Sequence, residues 1–376
     1  MKGDVTVMGN DVQIDVRTQR AGGALEVYVC ACPLCAAAAE TQAEALMDAL
    51  AAILAQHGAA ILQERVFASA VGLKAARAAR ARRLAAFDDG VEPTWLRTPA
   101  NGRGEISGVT LHAIAGCGRP DVLRLDGRPA GRRLRVGPST MVAAGGLQAP
   151  ASDAPAAARA MLHRAEALLA AAGGGLRDVV RTWVWLGEIL SWYGDFNRVR
   201  SALFRERGLL KPDGEGFLPA STGIGIAPGE GGFCAMDFIA ELGAVRPRFL
   251  LRAGRQGAAS RYGSAFSRAA VAQTPYGRKV YVSGTAAIDA AGQTTHADDP
   301  AGQIADTLRC VDAVLQETGC GMDDIAQAVV YCRTPEVERL FRQRGKDLGF
   351  PHVLVIADIC RNDLHFEMEC TAWRAS

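Results

Sequence analysis

The sequence predicts an α+β protein built from three consecutive copies of one unit. Each copy contains an amphipathic helix that runs into a strand rich in β-branched or aromatic residues, followed by a second helix. Each copy ends in a further strand, and these closing strands recur at intervals of roughly 125–130 residues, an ordinary domain size. The chain of 376 residues is long enough for three such domains.

The helix, strand and helix follow in the same order in each copy. They are 40–59, 61–69 and 72–87 in the first copy, 154–178, 179–189 and 193–208 in the second, and 301–324, 325–333 and 336–345 in the third. The closing strands are 108–116, 232–243 and 364–374. Hairpin-like strands at 133–146 and 278–293 precede the first helices of the second and third copies, and their glycines supply the turns.

A mixed sheet that carries two helices on one face leaves its other face open. Three such faces would bury one another around a common axis, so the chain is expected to fold as a covalent pseudo-trimer. The boundaries are expected near residue 125, in "LRLDGRPAGRR", and near residue 247, in "AVRPRF". This gives units of 1–125, 126–247 and 248–376, of which the first is the most degenerate.

The composition is that of an ordinary soluble protein, with 49% apolar and 22% charged residues and a net charge of +2. Such a charge gives no reason to expect a nucleic-acid partner. The basic run at 73–83 could suggest RNA binding, but its alanine spacing fits the solvated face of a helix better. No apolar run is long enough for a membrane span and the N-terminus has no signal-peptide core, so we expect a cytoplasmic protein without a membrane partner.

The cysteines and histidines do not suggest a metal site. Most of the ten cysteines lie in apolar, strand-like surroundings, where reduced and buried thiols are expected. Cys30, Cys32 and Cys35 form a cluster that lacks a fourth ligand at a zinc-like spacing, and the six histidines form no metal-binding pair. Nucleophile-elbow and dinucleotide motifs are absent, so neither a metal nor a cofactor is expected.

The last closing strand carries two carboxylates on one face. Leu364, Phe366, Met368 and Cys370 alternate with His365, Glu367, Glu369 and Thr371. This period of two predicts a half-buried strand. Its polar face would lie either in water or in a functional cleft.

Several stretches resemble a known family. The second copy, with "DVVRTWVWL", "YGDFNRVRSALF" and "LPASTGIGI", is similar to the YjgF-like (chorismate-mutase-like) reactive-intermediate-deaminase superfamily, whose homotrimers have their sites in the clefts between subunits. Within this superfamily the last two copies resemble the chorismatases. The resemblance rests on "LPASTGIGI" (218–226), "SRYGSAFSRA" (260–269), "VYVSGTAAI" (280–288) and "ADICRNDLHFEME" (357–369), in that order.

The chorismatase resemblance implies a reaction and an acid. Glu367 occupies the place of the acid that protonates the enolpyruvyl group of chorismate, and no Glu is seen at the matching place in the other copies. Glu369 is the alternative acid, or a neighbour whose charge raises the pKa of Glu367. Gly284 and Cys360 resemble the aromatising enzymes, of the 3-hydroxybenzoate synthase type, which release 3-hydroxybenzoate and pyruvate. Judged alone, Gly284 could be a turn glycine and Cys360 a core residue.

Substrate-binding candidates follow from their positions in the sequence and from the need to bind a dicarboxylate. They are Tyr262, Arg268, Thr285, Arg333 and Arg361, each of which could instead be an ordinary surface residue. The loop 219–225 is expected to form the neighbouring unit's wall of the cleft. Two departures leave room for a relative of chorismate: Val329 replaces a frequent family Lys, and a usual Gly-His is missing, with His296 as the candidate match for that His.

Other functions remain open alongside 3-hydroxybenzoate formation. These are hydrolysis of chorismate to a dihydroxycyclohexadiene carboxylate, an imine or enamine hydrolase of the Rid type, and a non-catalytic small-acid-binding protein. Against the Rid type, Ala220 stands where those enzymes carry the Arg that binds the substrate carboxylate. The expected partner is a small dicarboxylate, bound by a monomeric pseudo-trimer or a homo-oligomer of it.

Overall fold

Three β-sheets, each with two α-helices, make up the part of the chain that the structure describes, so the α+β architecture predicted from the repeats is confirmed. The computed structural model describes residues 2–8, 11–243, 245–344 and 348–374. We call each sheet with its two helices a unit.

The elements follow one another as predicted, with short additions. The first unit contains β1 (Lys2–Met8), β2 (Val12–Ala21), β3 (Ala24–Pro33), α1 (Ala39–His57), β4 (Ala60–Ala68), α2 (Ala70–Arg83), β5 (Thr94–Arg97) and β6 (Ile106–Ala115). The second contains β7 (Asp121–Leu125), β8 (Arg128–Val136), β9 (Ser139–Leu147), α3 (Ala154–Ala171), β10 (Val179–Leu186), α4 (Ile189–Glu206), β11 (Ala220–Ile224), β12 (Ala227–Pro228) and β13 (Cys234–Leu242). The third contains β14 (Arg248–Leu250), β15 (Ala269–Thr274), β16 (Gly277–Ala286), α5 (Pro300–Glu317), β17 (Ile325–Cys332), α6 (Pro335–Arg344), β18 (His352–Ile356) and β19 (Phe366–Arg374).

The same four-strand order lies in every sheet. It runs β3-β6-β4-β5 in the first, β9-β13-β10-β11 in the second and β16-β19-β17-β18 in the third. In each case the last two strands are parallel and the others antiparallel. Strand β12 of the second unit completes the first sheet by pairing with β5. Strand β7 precedes the boundary predicted near residue 125 but pairs with β8, and the unit limits stay a prediction.

The first long helices of the second and third units begin alike. Asp153 and Asp299 cap α3 and α5 by accepting hydrogen bonds from the backbone N–H groups of Ala156 (2.8 Å) and Gly302 (2.9 Å). A proline follows in the first helical turn of each, where its missing N–H needs no partner. Helix α1 has no such side-chain cap, in keeping with the greater divergence of the first unit.

The core of the described residues consists of four large apolar clusters and two small ones. Each sheet packs one face against its own two helices in a separate apolar cluster. The opposite faces of all three sheets meet in a fourth cluster, which includes Phe67, Trp185 and Tyr331 from the three units. This central core confirms the expectation that the open faces bury one another.

No helix in the described ranges is long and apolar enough to cross a membrane. Among the same residues, no group of three or more His, Cys, Asp or Glu is placed to bind a metal ion.

Candidate active site

A cavity of about 220 Å³ lies between the second and third units. One wall comes from α4 and β11 of the second unit, with Tyr193, Asn197, Arg200, Ser221 and Gly223. The opposite wall belongs to the third unit and includes Tyr262, Arg268, Gly284, Cys360, Arg361 and Glu367. As the sequence suggested for the loop 219–225, the neighbouring unit thus supplies part of the lining.

Glu367 is the carboxylate at this cavity. It lies near the start of β19, directly opposite Tyr331 of β17 and Ala286 of β16, and only 5% of its surface is exposed. The equivalent pairings in the other units place Ala235 opposite Trp185 and Gly108 opposite Phe67. Neither the first nor the second unit therefore has an acid at this position.

Burial keeps Glu367 protonated near neutral pH. Loss of solvation raises its pKa from 4.5 to about 8, and the negative charge of Glu369 adds to the effect, whereas Arg181 and Arg268 oppose it. A carboxyl in this state can donate a proton to a bound molecule at physiological pH.

Glu369 lies two residues away on the same face, and side chains of the second unit hold it in place. It accepts hydrogen bonds from the Arg181 guanidinium, from the Thr222 hydroxyl and, at 2.6 Å, from the Trp183 indole N–H. All three donors come from the second unit. Of the two carboxylates, Glu369 is thus bound within the protein, while Glu367 faces the cavity.

We expect the raised pKa of Glu367 to make stability depend on pH. Between about pH 4.5 and 8 the folded protein retains a proton that the unfolded chain releases, so this group's contribution to stability is lost as the pH rises. Glu367→Gln removes that titration. The melting temperature of the variant, relative to that of the native protein, should therefore rise between pH 5 and pH 9.

Differential scanning calorimetry across this pH range checks the expectation. Glu336→Gln, which alters an exposed carboxylate on α6, serves as the control and should show no such trend. A difference between Glu367→Gln and the native protein that stays constant with pH would show that Glu367 is ionised throughout.

Gly284 allows the Glu367 carboxyl to lie against the backbone of β16. A Cβ atom at this position would be 2.1 Å from Oε1 and 3.1 Å from Cδ of Glu367, and 3.2 Å from Cγ2 of Thr222. A methyl group would therefore displace the acid. Cys360 lies in the same cavity, and burial raises the pKa of its thiol to about 12, so it is a neutral thiol there.

Two arginines and a tyrosine form the third-unit wall. Arg268 is buried and donates to the Gly257 carbonyl (2.9 and 2.8 Å) and to the Tyr262 hydroxyl (2.7 Å). The Arg361 guanidinium donates to the Gly292 carbonyl at 2.8 Å and lies 5.2 Å from the centre of the Tyr262 ring. These interactions fix two positive charges beside the cavity.

Helix α4 supplies a buried cation that the sequence analysis missed. Arg200 is 4% exposed; it donates to Asn197 Oδ1 at 2.7 Å and to Ser221 Oγ at 3.3 Å, while its Nε has no hydrogen-bond partner among the described residues. Tyr193, Asn197 and Arg200 are spaced i, i+4 and i+7 and so share one face of the helix. This spacing within "YGDFNRVR" is the sequence pattern from which a functional role of Arg200 could have been predicted.

Two predicted substrate-binding residues do not line the cavity. The Thr285 hydroxyl donates to the Ser283 carbonyl at 2.8 Å, and Arg333 binds the Asn362 carbonyl and lies 3.8 Å from Asp358. Val329 is buried in the central core opposite Glu369.

Comparison with known proteins supports this fold. Residues 259–372 match the model of the family described as endoribonuclease L-PSP. A chorismatase crystal structure shares the fold, with a TM-score of 0.59 and 23% identity over 76% of this chain and 88% of that chain.

Single-domain structures match shorter parts of the chain. One is a putative endoribonuclease from Thermotoga maritima (18% identity, 34% of this chain, 98% of that chain, TM-score 0.28). Another is Escherichia coli TdcF with bound serine (17% identity, 34% of this chain, 99% of that chain, TM-score 0.27). A search of curated proteins finds no match. The last third of the chain is thus similar to the endoribonuclease L-PSP (YjgF-like) family, and 76% of the chain shares its fold with a chorismatase.

Proposed function

We propose that this protein is a chorismatase that converts chorismate into 3-hydroxybenzoate and pyruvate. The observation that carries the proposal is Glu367, a buried carboxyl that is protonated near neutral pH and faces a cavity bordered by fixed arginines. The likeness of the fold to a chorismatase agrees with it.

Protonation of the enolpyruvyl carbon requires an acid that is still protonated near neutral pH and is shielded from water. Protonation of the methylene carbon of the enolpyruvyl ether by Glu367 gives an oxocarbenium ion, and the resulting carboxylate stabilises that cation. Attack from within the ring, followed by loss of pyruvate and aromatisation, leaves 3-hydroxybenzoate. Atoms balance without water, whereas the alternative hydrolysis consumes one water and leaves a diene.

The cavity has cations on both walls for a dicarboxylate. Arg200 from the second unit has an unpartnered Nε, and Arg268 and Arg361 from the third unit are held by backbone carbonyls. Guanidinium groups that are already fixed bind carboxylates with little loss of side-chain freedom. We therefore assign one substrate carboxylate to Arg200 and the other to the Arg268–Arg361 wall.

Incubation of the purified protein with chorismate alone tests the proposal. Pyruvate and 3-hydroxybenzoate should form in equal amounts, measured by an enzyme-coupled pyruvate assay and by chromatography. Pyruvate with a non-aromatic diene would identify the hydrolytic alternative. No consumption of chorismate would overturn the proposal.

Gly284→Ala should lower turnover by about 100-fold, because a displacement of the acid by about 1 Å suffices for such a loss. The remaining turnover should yield more diene relative to 3-hydroxybenzoate. The added methyl group leaves less space for the chorismate ring to tilt as attack from within the ring requires. Steady-state kinetics and product chromatography measure both effects.

Gly321→Ala is a matched control for this change. Gly321 also belongs to the third unit, but a Cβ atom there meets nothing within 4 Å. Its product ratio should equal that of the native protein. An unchanged ratio in Gly284→Ala would remove Gly284 from the determination of the product.

An imine or enamine hydrolase of the Rid type is the second candidate, because residues 259–372 match the endoribonuclease L-PSP family. Ala220, at the place of the carboxylate-binding Arg of that type, is buried in the central core. Release of ammonia from freshly generated 2-aminoacrylate, without turnover of chorismate, would favour this candidate.

A further inference from the structure

Two buried arginines from different units lie over one indole ring. The guanidinium carbon of Arg65, on β4 of the first unit, is 3.7 Å from the centre of the Trp183 ring. That of Arg181, on β10 beside Trp183, is 4.5 Å away. Arg65, Arg181 and Trp183 are all less than 5% exposed.

Arg65 is held firmly in place. Its Nε is 2.6 Å from Oδ2 of Asp237, and its Nη2 donates to Gln63 Oε1 at 2.6 Å. Asp237 is fully buried, lies opposite Trp183 in the strand register, and also accepts hydrogen bonds from Thr94 and from the Gly146 N–H, both at 2.8 Å. The ion pair thus joins the first and second units.

Trp183 connects Arg65 with the carboxylate beside the candidate active site. Its indole N–H donates to Glu369 Oε1 at 2.6 Å. A cation over the ring draws electron density from the indole, which makes the N–H a better donor, and its contact also restricts the ring. Arg65 therefore acts on Glu369 without touching the cavity, which it does not line.

We propose that Arg65 of the N-terminal unit is a positioning residue for Glu367, because it holds Trp183 and thereby fixes Glu369 beside the acid. The inference rests on the proposed function only for its catalytic consequence. The placement of the residues is independent of the reaction.

The surroundings of Glu367 include other charged and titratable groups. Glu369 shares its strand, Arg181 and Tyr331 come from β10 and β17, and Arg268 and Cys360 come from the segments before β15 and β19. The outer cavity adds Tyr193, Arg200, Tyr262 and Arg361. Of these groups, Arg181 and Tyr331 interact with the charge of Arg65 directly, whereas Arg65 is not among the charges that shift the pKa of Glu367.

The direction of the effect follows from the loss of a donor to Glu369. With Trp183 less well held, the charge of Glu369 is no longer fixed beside Glu367 and raises the pKa of Glu367 less. The midpoint of Glu367 titration should then fall below its native value of about 8. A midpoint lower by one pH unit would reduce the protonated fraction at pH 8 about fivefold.

The test uses the double variant Arg65→Gln, Asp237→Asn, which leaves no buried unpaired charge. The matched control is Glu64→Gln, Arg80→Gln, which removes the neighbouring buried ion pair on the other face of β4, with its Nε–Oε2 distance of 2.9 Å. Two measurements are made on each protein. One is the pH profile of pyruvate release, and the other is the infrared titration of the protonated carboxyl band that is lost in Glu367→Gln.

A lower midpoint in the Arg65 variant, and not in the control, supports the proposal. Arg65→Lys, which retains a cation near the indole, should restore the midpoint, and Trp183→Phe, which lacks the N–H, should lower it. Equal shifts in variant and control, or no shift in the Arg65 variant, would overturn it. If chorismate is not consumed, the proposed function fails, and the infrared titration still decides the role of Arg65.

Discussion

Glu367→Gln should reduce the release of pyruvate from chorismate by about 10²- to 10⁴-fold, the usual contribution of a general acid. The amide has nearly the same shape but no proton to give to carbon, and it cannot become the carboxylate that stabilises the oxocarbenium ion. Initial rates at saturating chorismate measure the loss.

Glu241→Gln is a matched control for this experiment. Glu241 is also a buried carboxyl of a closing strand; burial raises its pKa to about 7, and it lies outside the cavity. Its variant should retain native turnover. If Glu367→Gln remained active, Glu369 would be the next candidate for the acid.

Arg200→Gln should raise the KM for chorismate about 30-fold or more, with a smaller effect on kcat. Loss of one partner of a buried charge pair typically costs about 2–5 kcal/mol, and each 1.4 kcal/mol is a factor of about ten. Arg200 is the buried cation of α4, and its Nε is without a partner. Steady-state kinetics separate the two constants.

Arg198→Gln tests whether any arginine on this helix matters. Arg198 is 75% exposed and pairs with Asp195, away from the cavity, so KM should not change. An equal rise of KM in both variants would indicate a general electrostatic effect. An unchanged KM in Arg200→Gln would assign the substrate carboxylates to the third-unit wall alone.

The repeated architecture could be predicted because it depends on local patterns. Period-two alternation in β19 placed Glu367 and Glu369 on one face of the strand, and the resemblance to chorismatases placed that face in a cleft. The contribution of α4 could not be predicted in this way. Whether the helix face with Tyr193 and Arg200 lies in water or in a cleft depends on how two units dock.

An irregularity in β16 explains why Thr285 does not line the cavity although the neighbouring Gly284 does. Val282 pairs with Cys370 and Thr285 with Met368, so Ser283 and Gly284 together lie opposite one residue of β19. This extra residue turns Thr285 to the side of Met368, whose side chain packs in the helix-side cluster. Period-two alternation along a single strand carries no sign of such a bulge.

Arg333 illustrates a second limit of prediction from sequence patterns. It follows β17 immediately, where the chain leaves the sheet, and its guanidinium turns to the Asn362 carbonyl. The direction of a side chain at the end of a strand depends on the loops that pack there. The role proposed for Arg65 is likewise invisible to sequence patterns, because it arises from contacts among three strands of two units.

The central core is formed by three sheet faces that differ in sequence. In a homotrimer each substitution is made three times, so a buried acid on the axis-facing strand would bring its desolvation cost to every subunit. A single chain carries that cost once, because Ala235 and Gly108 occupy the other two positions. Joining the units covalently thus allows one interface to specialise for chemistry while the other two are free to evolve for stability, and dilution cannot separate them.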